Sequence, residues 1–268
     1  MKLFYPLFLF CLTLSVANAQ QKFIFQDEFS GKNLDTTKWS YNTGGEGWGN
    51  HELQNYTKDR KENVRIENGH LIIEARKEDF NKNRFTSGRI VTKGKFDFTY
   101  GRVEVRAKLP AGRGTWPAIW MLASGINYGK NYWPDQGEID IMEHVGYDPS
   151  VVHGTVHTKA FNHVIGTQKG NTITIPDFDK AFHVYRMDWT PETIQMFVDD
   201  KMYFEFPNTH KSWQEWPFDK PEHLILNLAV GGDWGGSKGV DESIFPVRME
   251  VDYVRVLPPP ALRATPSL

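Results

Sequence analysis

Gly101-Arg102-Val103-Glu104-Val105-Arg106-Ala107-Lys108-Leu109-Pro110 decides the fold class. Apolar residues stand at 103, 105, 107 and 109, and charged ones at 104, 106 and 108. Successive side chains of a strand point to opposite faces, so this period of two buries one face and wets the other. Working outward, similar short runs lie at 63–74, 96–100, 172–175, 183–189, 193–198, 224–230 and 248–256. Turn chemistry separates them: Glu67-Asn68-Gly69-His70, Tyr100-Gly101, Asp199-Asp200 and Gly231-Gly232-Asp233. No 12-residue window carries a helical period, and no internal repeat is present. The pattern predicts an all-β fold, one antiparallel β-sandwich of two sheets packed face to face.

The composition narrows the function. A chain of 268 residues fits one all-β sandwich. Lysine and arginine number 31 against 33 acids, a net charge of -2 with no long basic run, which leaves no footprint for nucleic acid. Aromatics make up 14% of a chain whose mean hydropathy is -0.51. Nine tryptophans in so polar a chain imply that some indole faces serve as surfaces that stack on sugars or bases.

The first residues read as a leader. Lys2 precedes an apolar run over 3–16, and Ala17-Asn18-Ala19 supplies a small-residue cleavage site, so residues 1–19 are expected to be a secretory signal peptide. The run is too short for a membrane span. The mature chain would begin at Gln20, secreted or periplasmic, and lack the chain's one cysteine, Cys11. One domain is expected over 20–257, followed by a short Pro-rich tail, 258–268, that opens Pro258-Pro259-Pro260. No membrane or partner-helix site is evident in the mature chain, and a monomer is the default.

The chemistry concentrates in Trp133-Pro134-Asp135-Gln136-Gly137-Glu138-Ile139-Asp140-Ile141-Met142-Glu143-His144. On a strand, Glu138 and Asp140 share one face while Ile139 and Ile141 point into the core. Strict alternation puts Glu143 on the wrong face; a one-residue β-bulge around Ile141-Met142 returns it. Two glutamates leaning together from such positions can approach the ~5 to 5.5 Å separation of a retaining glycosidase. One carboxylate would then attack the anomeric carbon and the other protonate the leaving oxygen, while Asp140 holds their protonation states apart. A solvated acidic edge or an ion-binding cluster is the alternative, disfavoured by the apolar opposite face.

A loop through Gly146-Tyr147-Asp148-Pro149 leads to a second strand, Val151-Val152-His153-Gly154-Thr155-Val156-His157-Thr158. A hairpin in which 145 faces 152 sets His157 opposite Asp140, on the acidic face. His153 and His157 have the spacing of a zinc pair, but that spacing requires a helix.

These residues resemble glycoside hydrolase family 16, the laminarinase-like endo-β-1,3-glucanases. The resemblance runs from Phe25-Gln26-Asp27-Glu28-Phe29 to Val251-Asp252-Tyr253-Val254-Arg255-Val256. It includes Trp48-Gly49-Asn50-His51-Glu52-Leu53-Gln54, Thr86-Ser87-Gly88-Arg89 and Thr115-Trp116-Pro117-Ala118-Ile119-Trp120-Met121, and is strongest over 137–143. It implies a concanavalin-like jelly roll with an open concave cleft. Glu138 then matches the nucleophile, Glu143 the general acid/base and Asp140 the assisting acid. Asn50, Arg89, Trp116, Trp120, Trp133 and His157 match positions that line sugar subsites, and Trp234, in a glycine-rich loop, reads as a rim contact.

No cofactor is implied for catalysis. One structural Ca²⁺ is implied at Glu28, the Gly69 carbonyl and Asp252, with salt bridges as the alternative. The inserted Met142 argues against the mixed-linkage and xyloglucan-active branches. Agarose- and carrageenan-active relatives share the acid spacing, but no basic cluster suited to sulfated galactans lies near the motif. The expected substrate is therefore β-1,3-glucan of the laminarin type. The reading from a different class is a glucan-binding lectin on the same sandwich, whose relatives lack the catalytic acids.

Overall fold

In the computed structural model, which describes residues 22–261, the alternating stretch forms a strand, Gly101–Lys108. Val103, Val105 and Ala107 are wholly buried, and the four charged residues that alternate with them, Arg102, Glu104, Arg106 and Lys108, are half-buried. The expected leader, residues 1–19, lies outside the described residues, as do residues 262–268 of the tail.

Seventeen strands make up the described chain. The first six are β1 (Phe25–Asp27), β2 (Ser40–Tyr41), β3 (Gln54–Tyr56), β4 (Val64–Glu67), β5 (His70–Phe80) and β6 (Asn83–Ser87). Next come β7 (Arg89–Val91), β8 (Gly101–Lys108), β9 (Thr115–Ala123), β10 (Glu138–Glu143), β11 (Val151–His157) and β12 (Lys169–Thr174). The last are β13 (His183–Trp189), β14 (Thr193–Val198), β15 (Lys201–Pro207), β16 (Glu222–Val230) and β17 (Val247–Leu257). Two 3₁₀ turns, His163–Ile165 and Glu242–Ile244, are the helical segments among the described residues.

One sheet has ten strands, in the order β15-β14-β13-β8-β17-β5-β6-β3, with β1 beside β17 and β4 beside β5. The other has seven, in the order β12-β11-β10-β9-β16-β7-β2. Pairing is antiparallel apart from β3 with β6. Val103, Val105 and Ala107 of the larger sheet face Ile119, Met121, Ile139, Ile141, Val152, Leu224 and Leu226 of the smaller in one core. That leaves the outer face of the seven-stranded sheet free for chemistry.

Residues 96–100, expected as a strand, form none. Lys95 and Phe96 both donate to the Thr92 carbonyl in a turn, and Phe98 alone bridges to Glu222. Their rings close the end of the core instead: Phe96 stacks on Phe25 at 4.6 Å and on Phe98 at 5.0 Å. The alternation pattern also passed over β9, because residues between its two tryptophans are buried on both faces.

The expected bulge is present. Asp140 pairs with Trp120 but Met142 with Ile119, so Ile141 is the extra residue. A bulge removes its residue from the ladder, and a buried carbonyl left without a donor is costly. Here Tyr203 of β15 reaches across the core and donates its hydroxyl to the Ile141 carbonyl at 2.7 Å. Gly154 of β11 makes the room, since a Cβ there would lie 2.6 Å from both the Tyr203 hydroxyl and Met196 Sδ. Tyr203→Phe removes that donor and is expected to cost about 1–3 kcal/mol in urea denaturation. A lower kcat should accompany the loss, and a variant of unchanged stability would show that the carbonyl has another partner.

Candidate active site

Three acids project from β10 on the outer face. Glu138 pairs with His157 of β11, Asp140 with Thr155 and Glu143 with His153. The sequence expectation set His157 opposite Asp140. The loop pairs one residue tighter than supposed and the bulge adds another, so the register moves by two and His157 keeps its face. Its Nε2 lies 3.4 Å from Asp140 Oδ2 and 3.7 Å from Glu138 Oε1. The donor atoms of Glu138, Asp140 and His157 fall within 4.8 Å of one another, a spacing that a metal ion would also accept. Glu143 stands outside that group and takes a hydrogen bond from Trp116 Nε1 at 2.9 Å. The face thus offers two separate carboxyl stations rather than one cage.

Burial and crowding set their protonation. Burial raises Glu143 to about 8, helped by Asp140 and opposed by the Trp116 hydrogen bond and His157. Asp140 is pushed well above the usual carboxylate range by burial and then by Glu222. Glu138 is pushed up by burial and by Asp140, while His157 and Arg89 favour its charged form. Three carboxyls this close do not all ionise together. Glu138 has a guanidinium and an imidazole on its side and more solvent contact than Asp140, so of that pair it is the one whose charged form is better supported. Glu143 is the acid.

The other side of the face is built from β16, β9, β7 and the approach to β3. Arg89 is 9% exposed, held between the rings of Trp48 at 4.6 Å and Trp120 at 4.8 Å. Trp120 Nε1 donates to Asn227 Oδ1 at 2.7 Å, and Asn227 Nδ2 donates to the Tyr56 hydroxyl at 3.0 Å. Glu52 accepts from Gln54 Nε2 at 2.6 Å and from Asn50 Nδ2 at 3.2 Å. Trp116 and Trp120 therefore both belong to the outer face, which settles the choice between cleft and core. Trp133 lies 6.1 Å from His157 and 5.1 Å from His163, ring centre to ring centre. Trp234 stands edge-on to Trp116 at 5.5 Å, on the Glu143 side.

The structure thus gathers Glu138, Asp140, Glu143, Asn50, Arg89, Trp116, Trp120, Trp133, His157 and Trp234 around one face. Sequence reasoning missed Trp48, Glu52, Tyr56, Asn227 and His163 as members. Asn227 carried a signal: it is the one polar residue in the apolar run 224–230.

The residues expected to hold calcium do not fit that ion as they stand. Both Glu28 oxygens accept from Arg255 at 2.8 Å. Asp252 accepts from Arg106 at 2.6 Å and lies 3.6 Å from His70 Nε2. Gly69 sits in the tight β4–β5 turn with φ of 77°. Three of the four carboxylate oxygens that a hard cation would need are taken by guanidinium groups.

Comparison with known proteins points to one family. Residues 51–255 match the glycosyl hydrolases family 16. A beta-glucanase of Rhodothermus marinus is 58% identical over 239 residues, 87% of this chain and 84% of its own. A glucan endo-1,3-beta-glucosidase of Cryptopygus antarcticus is 38% identical, over 82% of this chain and 84% of its own. Among solved structures, the laminarinase from Rhodothermus marinus has a TM-score of 0.87 at 56% identity, with 89% of this chain and 97% of that chain covered.

The raised carboxyl carries a stability prediction. Glu143 holds its proton up to about pH 8 in the folded chain but only to the ordinary 4.5 when unfolded. Between those limits the folded chain binds more protons, so this group's contribution to stability falls as pH rises. Glu143→Gln should therefore leave the Tm unchanged below pH 4.5 and raise it progressively up to about pH 8. An equal shift at every pH would contradict the assignment.

Proposed function

The chain belongs to glycosyl hydrolase family 16, and on that premise we propose that it hydrolyses internal β-1,3-glucosidic bonds of laminarin-type glucans with retention of configuration. The observation that carries the reading is the bulge at Ile141, which returns Glu143 to the face of Glu138 and Asp140. The glucanase relatives from Rhodothermus marinus and Cryptopygus antarcticus support the substrate class.

Glu138 attacks the anomeric carbon while Glu143 gives its proton to the glycosidic oxygen, and the reducing-side sugar leaves. A glycosyl ester on Glu138 remains. Water then adds to the anomeric carbon, loses a proton to Glu143 and frees Glu138. Asp140 and His157 hold Glu138 in place and keep its charge apart from that of Glu143. Arg89 and Asn50 present donors to ring hydroxyls, and the indole faces of Trp120 and Trp133 stack on the sugars.

Purified enzyme incubated with laminarin, lichenan, agarose and carrageenan is expected to release short oligosaccharides from laminarin fastest. Cleavage of a galactan in its place would keep the mechanism and change the substrate. Glu138→Ser should lower kcat about 10⁴-fold while glucan binding persists. Undiminished hydrolysis by that variant would remove Glu138 from the nucleophile's role. Binding to one glucan by a wild type that cleaves none would restore the lectin reading.

Export is part of the same proposal. N-terminal sequencing of the protein recovered outside the cytoplasm should begin at Gln20, and a chain still starting at Met1 there would overturn the leader.

A further inference from the structure

The β10–β11 pairing gives each catalytic glutamate a histidine neighbour, His157 beside Glu138 and His153 beside Glu143. His157 bridges Glu138 and Asp140. His153 bridges nothing: among the described residues its ring makes no hydrogen bond, and its Nε2 is buried without a partner. The ring stands edge-on to Trp234, with centres 4.9 Å apart and planes at 84°. Trp234 in turn stands edge-on to Trp116, whose Nε1 holds Glu143 Oε1. Burial lowers the pKa of His153, with Asp148 opposing, which favours the neutral imidazole.

A neutral imidazole has one N–H. An Nε2–H directed at the Trp234 face accounts for a buried nitrogen with no oxygen acceptor. That tautomer, inferred here from the neighbours, leaves Nδ1 as an acceptor. His153, Trp234 and Trp116 are each half-buried, so together they wall the cleft on Glu143's side. An acid must touch the oxygen it protonates, which sets the departing sugar against this wall.

We propose that His153 Nδ1 accepts a hydroxyl of the leaving glucosyl unit while Trp234 covers that unit's apolar face. Position 153 is then a determinant of leaving-group and acceptor use. The same contacts serve the reverse half-reaction with a sugar acceptor. Its O–H adds to the anomeric carbon, the ester bond to Glu138 breaks, and the proton passes to Glu143.

The inference rests on the hydrolase reading above, and two substrates separate them. One is a β-1,3-gluco-oligosaccharide; the other is a dinitrophenyl glycoside of the same glycone, whose leaving group is no sugar and needs no proton. His153→Ala should lose roughly tenfold in kcat/KM on the oligosaccharide, the worth of one hydrogen bond, and keep its rate on the aryl glycoside. Its share of transfer to an added laminaribiose acceptor should fall as well. His153→Gln, which restores an acceptor oxygen, should recover most of both. Equal losses on the two substrates, or none on either, would overturn the role of His153. A wild type inactive on both would instead overturn the hydrolase reading itself.

Discussion

The bond from the Tyr203 hydroxyl to the Ile141 carbonyl carries more of this protein's chemistry than its place in the core suggests. A strand of strict period two cannot put residues 138, 140 and 143 on one face. The extra residue that solves this strands a carbonyl between two sheets, where no water can serve it. The partner comes from the opposite sheet, and it arrives only because Gly154 has no side chain in its path. Everything on the acid's side depends on that repair. Trp116 meets Glu143, and His153 and Trp234 stand beside it, because the strand beyond the bulge is shifted by one.

With the carboxyls fixed, their proximity governs their protonation. Burial pushes all three upward, so the group is forced to keep protons that exposed carboxyls would lose. The surroundings then break the symmetry. Glu138 faces Arg89 and His157, whereas Glu143 faces an indole N–H and a neutral ring. Fixed neighbours thus give the two glutamates different environments on one face.

The aromatic content has a corresponding division. Trp39, Trp189 and Trp216 are buried in the core, while Trp48, Trp116, Trp120, Trp133, Trp213 and Trp234 keep part of their surface open. Two of the open rings clamp Arg89, so its guanidinium is positioned by stacking rather than by a salt bridge. Trp120 is itself tied to Asn227 and through it to Tyr56, so this outer surface is locked at several points.

Much of this was legible in the chain. The alternation at 101–108 gave the fold class, and the spacing of Glu138, Asp140 and Glu143 required the bulge, because a period of two leaves no other way to align them. What the sequence determined by itself was which face each residue of a strand takes. Only the tertiary structure decided which strand lies alongside. The backbone of His157 pairs with Glu138, two residues from the expected Asp140, although its ring bridges both; Tyr203 lies 62 residues from the carbonyl it serves, and Asn227 lies 171 from the hydroxyl it meets. The physical reason is that alternation is local, set by the pleat, whereas register and partner come from loop lengths and from packing between sheets, which no single strand encodes.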